Sequence, residues 1–107
     1  MGQEVARWDI SNVTNANPCV ITTSEENELE TGDQVRITDL NGAMPVLRGQ
    51  DQINNDRFKV VVQSSTSFAI KTVVPDQYVD STNYTPYVTG GRVTKLQHNF
   101  IYEDEDA

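Results

Sequence analysis

The sequence predicts an all-β protein: a small antiparallel β-barrel or sandwich of five to six short strands, with extended arms at both ends. Three observations indicate this class. Several segments alternate apolar and polar residues with a period of two, as half-buried antiparallel strands do. Turn-forming Gly, Pro, Asn and Ser residues recur between those segments. No segment shows a convincing 3.6-residue apolar period, so long helices are not expected.

Five segments fit the strand pattern in chain order. "CVITT" is β-branched, and "DQVRITDL" alternates after a Gly32-Asp33 turn. "RFKVVVQ" and "SFAIKT" are joined by "SSTS", which is short enough for a hairpin. "GRVTKL" follows a predicted corner at Gly90-Gly91. These strand segments are residues 19–23, 33–40, 57–63, 67–72 and 91–96.

One domain accounts for the 107 residues, because this length is close to the commonest domain size. We expect an N-terminal arm over residues 1–12, a β-barrel domain over 13–96 and an acidic C-terminal tail over 97–107. Residues 24–30, "SEENELE", allow at most one exposed helical turn. The inward-facing residues should include Val35, Ile37, Phe58, Val60, Val62, Phe68, Ile70 and Val93.

The charge of the chain disfavours two classes of partner. Sixteen acidic and eight basic residues give a formal net charge of −8. Four of the acids lie in the last five residues, "EDEDA", which leaves twelve acidic and eight basic residues in the rest of the chain. An acidic surface repels phosphate backbones, so nucleic acid is not an expected partner. No apolar run approaches the ~20 residues of a membrane span, so no membrane partner is expected.

The beginning of the chain and its cysteine usage indicate a reducing compartment. "MGQEVARWDI" lacks the apolar stretch of a signal peptide, and Met1 suggests a complete small protein. Cys19 is the only cysteine, so an intramolecular disulfide and a cysteine-rich zinc site are both excluded. We therefore expect a soluble protein that is made in the cytoplasm of its host.

No residue has the sequence context of a catalytic, cofactor-binding or metal-binding group, and no cofactor is expected. Cys19 lies in a β-branched run without close basic residues, whereas a reactive thiolate needs exposure and a positive neighbourhood. His98, the only histidine, lies in the C-terminal extension. The acids form no local motif for glycoside cleavage, and Gly42 comes two positions too early for an EF-hand calcium loop. The sequence does not predict an enzyme.

The motifs also occur in a recognisable order. "NANPCVITTS", "TGDQVRI", "INNDRFKV", "STSFAI" and "DSTNYTPYVTGGRV" follow one another across residues 15–93. This series resembles a small β-domain widespread in phage tail and particle proteins, which is named the first-catalytic-cysteine-half (FCCH) domain after the ubiquitin-activating enzyme. Asn55 and Asn83 stand where that family commonly has glycine. Asparagine can replace glycine there because it tolerates a positive φ angle better than other side chains.

The resemblance implies a non-enzymatic virion protein: a tail or neck accessory (adaptor or fibre-associated) component that assembles with other virion structural proteins through its arms and barrel surface. A homo-oligomer would be compatible with this role. Its final location would be the virion. A head-decorating (cement) protein, a carbohydrate- or receptor-binding module and an enzyme accessory domain remain alternatives.

Large apolar side chains outside the predicted strands are the candidate contacts to a partner. Tyr and Trp are enriched in interfaces, so these residues could fill partner pockets while the two ends act as clamps. The acidic end would then face basic patches. Alternatively, the tyrosines cover the barrel ends and the termini fray. The predicted partner-binding residues are Trp8, Ile10, Tyr84, Tyr87, Phe100, Ile101 and Tyr102.

Overall fold

The structure, a computed structural model, describes residues 4–96. Those residues form seven β-strands and no helix, which confirms the predicted all-β class. The strands are β1 (Glu4–Val13), β2 (Val20–Thr23), β3 (Gln34–Gly42), β4 (Asp56–Val62), β5 (Ser67–Thr72), β6 (Gln77–Tyr78) and β7 (Tyr87–Leu96).

Six strands close into an antiparallel barrel in the order β1–β7–β3–β4–β5–β2, with β2 pairing back onto β1. One edge of β5 has two partners, because residues 67–69 pair with β2 while residues 71–72 pair with the two-residue β6. The extra strand β6 was not predicted from the sequence. Closure leaves few free strand edges, which are otherwise templates for unwanted pairing.

Strand β1 corrects the predicted N-terminal arm. Residues 4–12 lie in the barrel wall, where β1 pairs first with β7 and then with β2. The register shifts between Ile10 and Asn12, at the point where the strand passes from one neighbour to the other. Without β1, both β7 and β2 would present an unpaired edge, and β1 satisfies the backbone groups of both. The predicted tail over residues 97–107 lies outside the described residues.

Strand β7 begins at Tyr87, four residues earlier than predicted. Gly90 and Gly91 lie within the strand and do not form the predicted corner. Both glycines have positive φ angles, of 77° and 105°. A Cβ atom on Gly91 would stand 2.9 Å from the Cδ1 atoms of Ile10 and Leu40. Glycine therefore lets the strand continue through a conformation and a packing distance that a side chain would disturb.

The core fills the barrel interior largely as the alternation predicted. Of the eight predicted inward residues, seven are buried, and Val62 is partly buried against the same cluster. Ile53 and Val79, from the connections, are also buried. The confirmed core residues are Val35, Ile37, Phe58, Val60, Phe68, Ile70 and Val93.

The connection between β2 and β3 contains no helical turn. Its residue Leu29 is buried, and the N–H of Asn27 donates to the carbonyl of Ser65 at 2.9 Å. The connection is therefore held against the β4–β5 hairpin. One apolar anchor and hydrogen bonds to a neighbouring turn replace the helix that the sequence barely allowed.

Candidate functional site

Cys19 is part of the core and has no environment for reactivity. Its side chain is fully buried, its N–H donates to the carbonyl of Val79 at 2.8 Å, and its carbonyl accepts from Ile70 at 3.2 Å. Burial raises the pKa of the thiol to about 11, and a hydrogen bond with Ser81 offsets only part of this effect. The thiol is protonated at neutral pH and shielded from solvent.

Ser81 is a fully buried hydroxyl that joins two connections. Its hydroxyl donates to the carbonyl of Thr14 at 2.6 Å and accepts from the N–H of Ala16 at 3.1 Å. Its own N–H donates to the carbonyl of Ala16 at 2.9 Å. No histidine occurs between residues 4 and 96, so no imidazole in that range could activate this hydroxyl as a nucleophile. The geometry supports a structural role, which fixes the β1–β2 connection to the segment before Tyr84.

The structure separates the seven residues that were predicted to bind a partner. Ile10 and Tyr84 belong to the core, with 5% and 6% of their surface exposed, so they do not offer contact surface in this fold. Trp8 and Tyr87 are partly buried and pack against the core. Phe100, Ile101 and Tyr102 lie outside the described residues.

Tyr84 holds a loop to the barrel, whereas the hydroxyl of Tyr87 bonds within the barrel wall. The hydroxyl of Tyr84 donates to the carbonyl of Asp51 in the β3–β4 connection. Burial is the main cause that raises the pKa of this hydroxyl to about 12. The hydroxyl of Tyr87 donates to the carbonyl of Gly90 at 2.8 Å. Of the two roles considered for the tyrosines, this arrangement favours covering the barrel ends.

A different set of apolar side chains is exposed. Met44, Val46 and Leu47, which we call the apolar loop, lie in the β3–β4 connection with 43–59% of their surface exposed. Val88 on β7 is 65% exposed. The backbone of Val88 lies against Gly42 at the base of this loop, since a Cβ on that glycine would be 2.6 Å from the Val88 nitrogen.

Hydrogen bonds fix the backbone of the apolar loop. The N–H of Met44 donates to the hydroxyl of Thr85 at 2.9 Å, and the N–H of Thr85 donates back to the carbonyl of Met44 at 2.9 Å. The side-chain oxygen of Gln50 accepts from the N–H groups of Val46 and Leu47, at 3.2 and 2.9 Å. The loop therefore presents apolar side chains on a backbone that is already ordered.

The outer surface of the barrel carries most of the basic residues. Side chains alternate along a strand, so the neighbours of the buried residues in β3 and β4 point outward. Arg36 stands directly opposite Arg57, and Lys59 stands directly opposite Lys71. On the other edge of β3, Arg36 pairs with Thr94, which in turn pairs with Arg7. Six of the eight basic residues form this basic face: Arg7, Arg36, Arg57, Lys59, Lys71 and Arg92.

Carboxylates neutralise part of the basic face. Asp76 accepts from Lys59 at 3.0 Å and from Lys71 at 3.2 Å. These hydrogen bonds, with that of Lys59 the larger contributor, lower the pKa of Asp76 below its usual value. A carboxylate oxygen of Asp39 lies 3.8 Å from Arg92.

An open groove of about 440 Å³ borders the basic face at Arg57. Among residues 4–96, its lining combines two carboxylates, a guanidinium, an amide and a hydroxyl with two valines, and it includes no aromatic side chain. The lining residues are Gln34, Asp51, Asp56, Arg57, Thr72, Val73 and Val74.

Sequence reasoning missed the apolar loop and the basic face, although both left a signal. "AMPVL", residues 43–47, is an apolar run in a connection, and the basic residues of β3 and β4 occupy the outward positions of the alternation.

Between residues 4 and 96 there is no helix that could span a membrane. The same part of the chain contains no group of three or more His, Cys, Asp or Glu placed to hold a metal ion.

Comparison with known proteins agrees with the resemblance seen in the motifs. The family model of the ubiquitin-activating enzyme E1 FCCH domain matches residues 16–97. The match covers β2 to β7, so the strand that closes the barrel, β1, precedes the matched region. A search of curated proteins found no match.

Proposed function

The chain belongs to the ubiquitin-activating enzyme E1 FCCH domain family, and we propose that it is a non-enzymatic structural component of a phage particle. Within the particle it serves as a tail or neck accessory protein that assembles with other virion proteins. Its series of motifs, which resembles the form of the domain in phage tail and particle proteins, supports the phage origin. The protein is then made in the host cytoplasm and ends in the virion.

The observation that carries this proposal is the apolar loop. Exposed apolar side chains that form a patch mark interaction sites more often than isolated ones do. Met44 and Leu47 project from a backbone that is already fixed by Thr85 and Gln50. A fixed loop loses little conformational freedom when a partner binds, so more of the buried apolar area contributes to affinity.

The position of β1 changes how such a protein would attach. Trp8 and Ile10 lie in the barrel wall, so residues 4–10 cannot act as a free clamp. The barrel surface therefore becomes the main interface in our proposal. A contribution from residues 97–107 stays a prediction.

The proposal can be tested by placing charge on the apolar loop. Val46→Asp combined with Leu47→Asp should abolish incorporation, because two carboxylates would be buried against the partner. The measurement is the occupancy of the protein on purified particles. Val74→Asp is the control, since it adds a charge at an 88% exposed valine that lies outside the apolar loop and lines the groove beside Arg57. Normal occupancy of the loop variant would exclude the loop as the interface.

The groove beside Arg57 favours a second candidate function, a carbohydrate- or receptor-binding module. Carboxylate, amide and guanidinium groups can hydrogen-bond sugar hydroxyls, but the lining that residues 4–96 provide includes no aromatic ring on which a sugar could stack. Saturable glycan binding that is lost in Arg57→Ala and kept in the loop variant would support this candidate.

Electron microscopy of particles would distinguish tail or neck from head decoration.

A further inference from the structure

The basic face contains an arginine pair that forms no ion pair with a carboxylate of residues 4–96. Arg36 and Arg57 are directly opposed on neighbouring antiparallel strands, and both are exposed. The guanidinium of Arg36 donates to the carbonyl of Asn55 at 3.3 Å. Among the ion pairs between residues 4 and 96, none includes either arginine. Like charges in this position destabilise a sheet.

The other opposed pair of cations shows how this chain neutralises such an arrangement. Lys59 and Lys71 face each other across β4 and β5, and Asp76 accepts from both ammonium groups. Arg57 lies two residues before Lys59 on the same face of β4. No carboxylate of residues 4–96 bridges Arg57 and Arg36 as Asp76 bridges the two lysines. Asp56 is adjacent in sequence, but its side chain accepts from the backbone N–H of Arg57 at 2.8 Å. An arginine pair of this kind fits a carboxylate supplied by another segment, because guanidinium groups bind carboxylates in a fixed, often bidentate geometry.

The course of the chain identifies that segment. Strand β7 ends at Leu96, two residues beyond Thr94, which pairs with Arg36. The arginine pair therefore lies about 7 Å back along the strand and about 5–10 Å across the sheet. Six residues, 97–102, separate Leu96 from Glu103, and the chain to Glu103 can span at most about 25 Å. The sequence then places four carboxylates together, at residues 103–106.

We propose that the acidic segment Glu103–Asp106 binds the arginine pair of its own chain. Its carboxylates accept from Arg36 and Arg57, as Asp76 accepts from the two lysines. Attachment seven residues away keeps the effective concentration of the segment in about the millimolar range, above that of a second copy in dilute solution. The inference is independent of the proposed virion role. It makes the arginine pair available to a partner only when that partner displaces the segment.

A spin label beside the segment tests this arrangement. Ala107→Cys provides the labelling site, because the native Cys19 is buried. The measurement is the paramagnetic broadening of backbone amide signals in the full chain. We expect the strongest broadening at residues 36 and 57 and their strand neighbours, independent of protein concentration and reduced by added salt.

Three variants define the specificity of the contact. The amide-tail variant carries Glu103→Gln, Asp104→Asn, Glu105→Gln and Asp106→Asn and should lose the localised broadening. Arg36→Gln with Arg57→Gln should lose it as well. Arg48→Gln, which alters an exposed arginine of the β3–β4 connection, is the matched control and should keep it.

Several outcomes would overturn the proposal. Broadening that is uniform, or that survives Arg36→Gln with Arg57→Gln, would show that the segment does not bind the arginine pair. Broadening of unlabelled copies in a mixture with labelled ones, rising with concentration, would assign the segment of a second copy.

Discussion

The inner and outer faces of β3 and β4 follow different rules, although one backbone register produces both. On the inner face, Val35 packs opposite Phe58, and both are fully buried. On the outer face, the next pair in the ladder is Arg36 and Arg57, two like charges that weaken the sheet. The inner face is explained by folding alone. The outer face contains an arrangement that folding does not require, and function is therefore to be sought there.

The largest effect should come from the inner face. Phe58→Ala removes a large side chain from the centre of the core and should lower the free energy of unfolding by about 3–5 kcal/mol. Urea unfolding followed by circular dichroism measures the change. Arg57→Ala, one residue away on the outer face, should change it by no more than about 0.5 kcal/mol. Similar losses for the two variants would remove the distinction between the faces.

A second effect inside the barrel, at Cys19 just before β2, makes the free energy of unfolding depend on pH. The pKa of the Cys19 thiol rises from 9.0 to about 11 on folding, so the folded state favours the protonated thiol. This contribution is fully present below pH 9.0 and is lost as the pH rises towards about 11. The total loss is about 2–3 kcal/mol. Cys19→Ala should remove this alkaline decline, measured by urea unfolding across that pH range. An unchanged decline in the variant would assign it to other groups.

Loss of the hydrogen bonds between Ser81 and the β1–β2 connection should have an intermediate effect on the free energy of unfolding. Ser81→Ala leaves the carbonyl of Thr14 and the N–H of Ala16 without their hydroxyl partner. Buried groups that lose a partner cost about 1–3 kcal/mol. Ser11→Ala is the control, because Ser11 makes an exposed hydrogen bond to the carbonyl of Thr22. A loss no larger than that of the control would show that water replaces the hydroxyl of Ser81.

The inner face was also the part that sequence could predict. A period of two along β3, β4 and β5 reports which side chains face the core, so buried residues such as Ile37 and Phe68 followed from the pattern. Strand β1 escaped prediction although Arg7 and Asp9 alternate with Trp8 and Ile10, because its bulge between Ile10 and Asn12 interrupts the alternation. Gly90 and Gly91 suggested a corner because sequence does not distinguish a turn glycine from one that relieves close packing.

The candidate surfaces depend on relations between strands, and these were not accessible from one sequence. Arg36 and Arg57 are 21 positions apart, and only the register of β3 with β4 makes them neighbours. The apolar loop is fixed by Gln50 of the same connection and by Thr85, which lies 41 positions from Met44 and comes close only in the folded barrel. Sequence reasoning selected aromatic residues as partner contacts. Burial then showed that Tyr84 serves the barrel instead.

The smallest expected effect concerns the outer face. Here the sign of the change in the free energy of unfolding decides the test. In the amide-tail variant, Arg57→Thr should raise the free energy of unfolding by about 0.2–1 kcal/mol at low salt, because it relieves the repulsion from Arg36 and introduces a residue that favours strands. In the wild-type chain the gain should be smaller or reversed, because the same substitution also removes a partner of the acidic segment.

Lys59→Thr serves as the control and should lower stability in both backgrounds, since it removes one of the two cations bound by Asp76. Urea unfolding at low and high salt measures all four differences. High salt should bring the two Arg57→Thr values together, because screening weakens both the repulsion and the attraction. Equal values in both backgrounds at low salt would mean that the segment does not reach the arginine pair, and a loss in both would mean that Arg57 stabilises the barrel in its own right.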